Sequence, residues 1–352
     1  MQDRQLHLTR WRHSRVLALA AMQIVVLGAG AIGSLYGAKL AEENDVTLVG
    51  RPDHVREIEE HGLRIEGIEP GTVWVRAATR VDHLDPDALI LLTTKVPATA
   101  AALEPVAPLV RDDTTIVVLQ NGLNSERIAR AALGERGVVI RGITQFGAIF
   151  ERPGTIRYMV EGYTVLEKHE RSARIIPVLN AAGLDCRISD DINAEVWRKL
   201  VFNCVVNPIT ATLGGRVGDI VDPQLRRLKQ LIVDECVEVA AAEGIFLERD
   251  LLDQIDRTYA GSRNIVSMQQ DLLRGRPTEI DYLNGAIAAL GTAHGLKCPV
   301  NDGLTKLIRG LEATSVKSAA SESTRESLLE AQTGRKQSSE LQTSSSVDSR
   351  GT

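Results

Sequence analysis

Between residue 22 and about residue 188, short apolar runs alternate with stretches of helical spacing. Ile24–Leu27 predicts a buried strand, Ala31–Glu42 a helix, Val46–Val49 a second strand and His54–Glu60 a further helical stretch. Ala88–Thr93, Thr115–Leu119 and Val138–Ile143 are strand-length runs as well, with helical segments between several of them. Such alternation is the pattern of a parallel sheet wrapped by helices. Gly154–Leu166 alternates more strictly and predicts strands that close the same domain.

After Asp190 the character changes. From Ala194 to about Leu311 the residues are helix formers with helical apolar spacing, punctuated by Pro208, Gly214-Gly215, Gly275-Arg276-Pro277 and Gly295. Several helices joined by short turns are expected. Beyond about Ala313 the chain is rich in Ser, Thr, Glu and Gln, with too little apolar surface to offset the entropy of ordering. The expected organisation is therefore an extension over 1–21, an α/β domain over 22–190, an all-helical domain over 191–312 and a disordered tail over 313–352. The extension carries Arg4, Arg10, Arg12 and Arg15 ahead of an apolar run, which a targeting peptide would also do. That run, however, continues into the first predicted strand, and Met22 stands where such a domain would begin, so a dispensable extension is favoured.

A net charge of −5 gives no general attraction to nucleic acid or to an anionic membrane, and 3% aromatic residues supply no array of stacking platforms for single strands. A small molecule is the expected partner, in the cytoplasm, and no run of apolar residues suggests a membrane span. Cys186, Cys204, Cys236 and Cys298 are scattered, as are the histidines, so neither a disulfide framework nor a metal site is expected.

Gly28-Ala29-Gly30-Ala31-Ile32-Gly33 follows a predicted strand and opens a predicted helix. In that context the first glycine permits the tight turn, the second lets a pyrophosphate approach the backbone, and the third allows close packing of helix on strand. The helix N-terminus then presents free N–H groups and a positive dipole end to the phosphates. At the end of the second strand stands Gly50-Arg51, where a dinucleotide enzyme selective for NAD places a carboxylate. A guanidinium there suits a 2′-phosphate and so NADP, while Asp53 keeps NAD open. Lys95 and Asn121-Gly122 each follow a strand at the carboxyl edge, where ligands bind in such sheets. A solvated lysine and a plain Asn-Gly turn are the bland alternatives.

In the helical half, Trp197 to Pro208 contains no Asp or Glu and reads as a buried helix. Lys199, Asn203 and Asn207 are spaced by four and share one face. Polar groups on a buried face need partners, and a lysine is almost never buried alone, so this face is expected to line a wet cleft. Ser267 lies in a second polar stretch, followed by Gly275-Arg276-Pro277 and Thr278-Glu279-Ile280-Asp281. Thr278 reads as the N-cap of the next helix, with Asp281 completing a capping box and Glu279 in its first turn.

Taken together, the glycine motif, Lys95, Asn121-Gly122, the Lys199–Asn203–Asn207 run, Ser267 and the Glu279-Ile280-Asp281-Tyr282 stretch resemble the ketopantoate reductase family over roughly residues 22–311. The resemblance implies a Rossmann-type doubly wound sheet followed by an all-α domain. It also implies NADPH-dependent reduction of 2-dehydropantoate, a step toward pantothenate and coenzyme A. By the same resemblance Lys199 is the general acid, Glu279 pairs with it, and Asn203, Asn207 and Ser267 hold the substrate. Asn121 stands near ribose and substrate, with Arg51 and Lys95 at the 2′-phosphate. A homodimer is allowed by it. Gln145 and Phe146 depart from the family pattern in a loop expected to border the cleft, which leaves a paralogous reductase of another branched 2-oxo acid open. A non-catalytic NADP-binding protein is the third reading.

Overall fold

The first apolar run folds as strand β1 (Gln23–Leu27), and its last four side chains are buried because both faces of the sheet are covered. The computed structural model describes residues 21–134 and 136–315, so the expected N-terminal extension, all but its last residue, and the tail beyond 315 lie outside the described residues. The main sheet adds β2 (Asp45–Val49), β5 (Arg76–Ala78), β6 (Leu89–Leu92), β7 (Thr115–Val118), β8 (Val138–Thr144), β11 (Thr164–Glu167) and β12 (Cys186–Ser189). Its order is β12-β11-β8-β7-β6-β1-β2-β5. Every neighbouring pair is parallel except β8 and β11.

From β1 the chain steps to β2 on one side and later to β6 on the other. The order therefore reverses between β1 and β6, and that is where open α/β sheets bind ligands. Helices α1 (Ala31–Leu40), α2 (Pro52–His61) and α5 (Ser172–Ala181) accompany a core that includes Ile24, Val26 and Leu48, whereas α3 (Thr99–Leu103) and α4 (Ser125–Leu133) accompany one that includes Val25, Ile90 and Val118. Each such fully buried aliphatic side chain contributes about 1.5–3 kcal/mol.

The strictly alternating stretch does form strands, but only β11 joins the main sheet. The strand β10 (Thr155–Val160) builds a second, four-stranded sheet of order β4-β3-β10-β9, with β3 (Leu63–Gly67), β4 (Gly71–Val73) and β9 (Gly147–Arg152). This sheet packs on α1 and contributes Ile65, Phe150, Ile156 and Tyr158 to the same core.

After β12 no strand follows among the described residues. Helix α6 (Ile192–Leu213) starts at Asp191, whose carboxylate accepts from the Ala194 N–H at 3.0 Å. Its companions are α7 (Arg226–Ala242), α8 (Leu251–Tyr259), α9 (Ser267–Leu273), α10 (Asn284–Ala293) and a final helical stretch over 299–315. That last stretch carries helix through 313–315, where a disordered tail was expected. Pro208 was read as punctuation, yet α6 runs through it to Leu213. A proline has no N–H for the carbonyl four residues back. Here that carbonyl, of Cys204, accepts instead from the Asn284 side chain at 3.0 Å, so the helix loses a bond without stranding a buried acceptor.

Candidate active site

The glycine turn sits at the carboxyl end of β1. Gly28 has φ +108°, and a side chain there would meet the Thr94 backbone N at 2.5 Å. At Gly33 an added Cβ would lie 2.2 Å from the Gly28 carbonyl oxygen. Gly30 is different: the nearest atom to its added Cβ is 3.9 Å away. The fold itself thus has no use for the missing side chain at Gly30, whereas a group approaching the backbone would. Helix α1 starts there with no side-chain cap and no acidic residue in its first turn, so the N–H groups around Ala31 and Ile32 are left to an incoming acceptor. Residues Gly28, Ala29, Gly30, Ala31, Ile32 and Gly33 fit a dinucleotide pyrophosphate on these grounds.

Arg51 precedes α2, is exposed, and stands over the Phe150 ring at 5.4 Å from its centroid. Among the described residues it has no carboxylate partner. From the helical half, the Gly275–Pro277 turn brings Arg276 close to Arg51. Burial lowers the Arg276 guanidinium below its ordinary value, and the charges of Arg51 and Arg274 push it the same way. Lys95 completes the group, donating to the Pro277 carbonyl at 2.8 Å and pairing with Asp271 at 2.7 Å. Cations from two parts of the chain thus converge where Asp271 and Asp53 are the carboxylates that bear on Arg276, an arrangement that suits an anion.

Helix α6 carries the remaining candidates. Lys199 is half-buried and donates to the Thr144 carbonyl at the end of β8. Burial pushes its ammonium down from 10.5 to about 7; the charge of Arg141 pushes further in that direction and that of Glu279 opposes it. Asn203 and Asn207 follow on the same face. Asn207 is 7% exposed, and neither amide, nor the exposed Ser267 hydroxyl at the start of α9, has a hydrogen-bond partner among the described residues. Amides without protein partners on this face are free to bond an incoming polar ligand.

Glu279 accepts from the Val96 N–H at 3.2 Å, and the neighbouring Asn121 amide favours its charged form. Its carboxyl is raised above the ordinary range, first by burial. The ion pair expected between Lys199 and Glu279 does not form: the carboxylate is claimed by Val96 from the sheet side, and acts on Lys199 through space. The capping box fails as well. The Thr278 hydroxyl accepts from Ile280 at 3.2 Å, but it caps only the short 3-10 turn Ile280–Tyr282. Asp281 pairs with Arg309 at 2.7 Å instead, so α10 starts only at Asn284 and Glu279 precedes the turn. Of the departing loop, Gln145 is exposed, while Phe146 turns inward against Tyr36, ring centroids 5.8 Å apart.

Four partners here went unnoticed in the sequence: the Thr144 carbonyl, the Val96 N–H, Arg276 and Arg141. The first two are backbone groups without a sequence signal. Arg141 did leave one, a guanidinium inside the apolar run Val138–Thr144.

Comparison with known proteins agrees with this geometry. Residues 24–171 match the family described as Ketopantoate reductase PanE/ApbA, and residues 191–312 match Ketopantoate reductase PanE/ApbA C terminal. A 2-dehydropantoate 2-reductase of Pyrococcus abyssi is 37% identical over 301 residues, 83% of this chain and 98% of that protein. The crystal structure of a PanE/ApbA family ketopantoate reductase from Ralstonia eutropha superposes with a TM-score of 0.77 at 32% identity, covering 84% of this chain and 99% of that one. D-mandelate dehydrogenase, in a ternary structure with NADH and anilino(oxo)acetate, superposes with a TM-score of 0.78 at 29% identity over 84% and 99% of the two chains.

Proposed function

Because the chain belongs to the ketopantoate reductase family, we propose that it reduces the 2-oxo acid 2-dehydropantoate to pantoate, with NADPH as hydride donor and Lys199 as general acid. The observation that carries the reading is Lys199 itself: an ammonium pushed down to about 7, on the α6 face that also bears two amides with no partner among the described residues.

When bound, the reduced nicotinamide supplies the hydride. The chain does the rest. Hydride addition builds negative charge on a carbonyl oxygen, and an ammonium at that oxygen both stabilises the charge and delivers the proton. The Thr144 carbonyl holds the Lys199 Nζ in place. Glu279 keeps the ammonium from being depressed further. Asn203, Asn207 and Ser267 are the groups left to receive the carboxylate and hydroxyl of the substrate, with Asn121 near ribose and substrate. Gly28–Gly33 would hold the pyrophosphate, and Arg51 and Lys95, joined by Arg276, the 2′-phosphate. We read 22–190 as the cofactor domain and 191–312 as the substrate domain.

A second reading has its own support. The similarity to D-mandelate dehydrogenase with NADH fits a different 2-oxo acid and the other cofactor. Steady-state rates with 2-dehydropantoate and with aryl 2-oxo acids, each with NADPH and NADH, separate the two. The proposal requires the highest kcat/KM for 2-dehydropantoate with NADPH. A higher value for an aryl 2-oxo acid with NADH gives the answer to the second reading.

A further inference from the structure

Arg141 interrupts the apolar strand β8 and is 5% exposed. Burying a guanidinium costs several kcal/mol unless its donors are met. They are met here chiefly by one short segment and not by a close ion pair. The Glu126 carboxylate stands 3.8 Å from Nε, which has no hydrogen-bond partner. Nη1 donates to the Ser125 hydroxyl at 2.6 Å and to the Val118 carbonyl at 3.4 Å. Nη2 donates to the Gln120 carbonyl at 2.9 Å and to the Gly122 carbonyl at 3.0 Å.

Those last two carbonyls flank Asn121. On the opposite side the segment is closed by the helical half: Gly122 has φ +83°, and a side chain on it would lie 2.8 Å from the Tyr282 carbonyl oxygen. Asn121 is thus the residue between two tethered carbonyls, and its amide stands where it favours the charged form of Glu279. A planar fork that reaches two acceptors at once fixes orientation as well as position, which an ammonium cannot do. We propose that Arg141 is a positioning residue for the reaction, holding Asn121 against Glu279 through the Gln120 and Gly122 carbonyls. This rests on the role assigned above to Asn121. The positive charge of Arg141 also reaches Lys199, which places its influence at the same site.

Arg141→Lys keeps the charge and removes the fork. Its kcat/KM should fall about 10- to 100-fold, mostly in kcat, as expected for a reactive group displaced by a fraction of an ångström. Backbone amide exchange in residues 119–124 of the ligand-free protein should quicken, while the rest of the sheet keeps its protection. The double variant with Asn121→Ala should be hardly slower than Asn121→Ala alone. Wild-type activity and exchange in Arg141→Lys overturn the proposal, and so do losses that multiply in the double variant. If Asn121→Ala is itself fully active, the role of Asn121 fails and takes the proposal with it, a result distinct from multiplying losses. Should Arg141→Lys not fold, Ser125→Ala decides, since it removes one tether and no charge. A several-fold lower kcat with faster exchange over 119–124 supports the clamp, and unchanged values in both overturn it.

Discussion

Replacing Lys199 by Met should make the protein more stable and nearly inactive at once. Burial beside Arg141 holds the ammonium at about 7 in place of 10.5, which at about 1.4 kcal/mol per pH unit means that the folded state carries ~5 kcal/mol of penalty wherever the amine is charged. The sign follows from linkage. A base whose folded value lies below its unfolded one costs stability in full below pH 7, and progressively less as the pH rises from 7 to 10.5. Methionine removes that cost and keeps most of the stem's volume, but it forfeits the charged bond to the Thr144 carbonyl, about 1.5–3 kcal/mol. A net gain on the order of 2–3 kcal/mol remains at about pH 6, or on the order of 5 °C in Tm for a chain of this size. Near pH 9.5 the wild-type amine is already neutral in the folded state, so the advantage should vanish. Turnover should meanwhile fall roughly 10²- to 10⁴-fold. Calorimetric scans of both proteins at the two pH values check the first claim, and steady-state rates the second. A Met variant no more stable than wild type near pH 6, or equally advantaged at both pH values, would refute the view that partial burial holds the Lys199 ammonium down.

Three further outcomes follow from the same structure. In the direction of reduction, kcat/KM should be flat below about 7 and decline above it, because Lys199 must carry its proton; Glu279→Gln should move the break to lower pH, and a break at or above the wild-type position counts against that carboxylate. Gly33→Ala should destabilise the fold severely, its Cβ being 2.2 Å from the Gly28 oxygen, whereas Gly30→Ala should melt like wild type yet bind NADPH at least tenfold more weakly by fluorescence titration. His54 is buried, bonded to Ser34 at 3.1 Å and accepting from the Gly154 N–H at 2.8 Å, and burial pushes it down to about 4. Its contribution, about 3 kcal/mol, is whole above pH 6.5 and lost as pH falls toward 4; urea unfolding across that window should show a steeper loss for wild type than for His54→Gln.

What the sequence made legible was local. The strand, glycine turn and helix from Gln23 to Leu40 follow from neighbouring residues, and so does the helical face shared by Lys199, Asn203 and Asn207. Features settled by distant partners stayed hidden. The second sheet pairs the predicted strand at Thr155–Val160 with Leu63–Gly67, Gly71–Val73 and Gly147–Arg152, strands of three to six residues with mixed polarity that carry little periodic signal. Pro208 looks like a stop until Asn284, eighty positions beyond Cys204, takes the carbonyl it orphans. The cap assigned to Thr278 and Asp281 satisfied a local pattern but lost to Arg309, a partner no spacing rule could supply. Glu279 was placed beside Lys199 by resemblance, while its direct contact is an N–H on the opposite lobe.

The way the two halves are joined explains why those particular contacts matter. Leaving aside the junction itself, where Asp191 N–H meets the Ser189 hydroxyl, every direct polar tie across the halves among the described residues ends on a site residue. Lys95 reaches Asp271 and Pro277, Val96 holds Glu279, and Lys199 holds Thr144. Apolar contacts also join the halves, among them a seam in which Ile143 and Val165 meet Ile192 and Val196, and Leu123 packed against the helical core. An apolar seam is indifferent to small rotations, whereas hydrogen bonds are not. The relative placement of the halves is therefore set, in its fine adjustment, by the same groups that would meet cofactor and substrate.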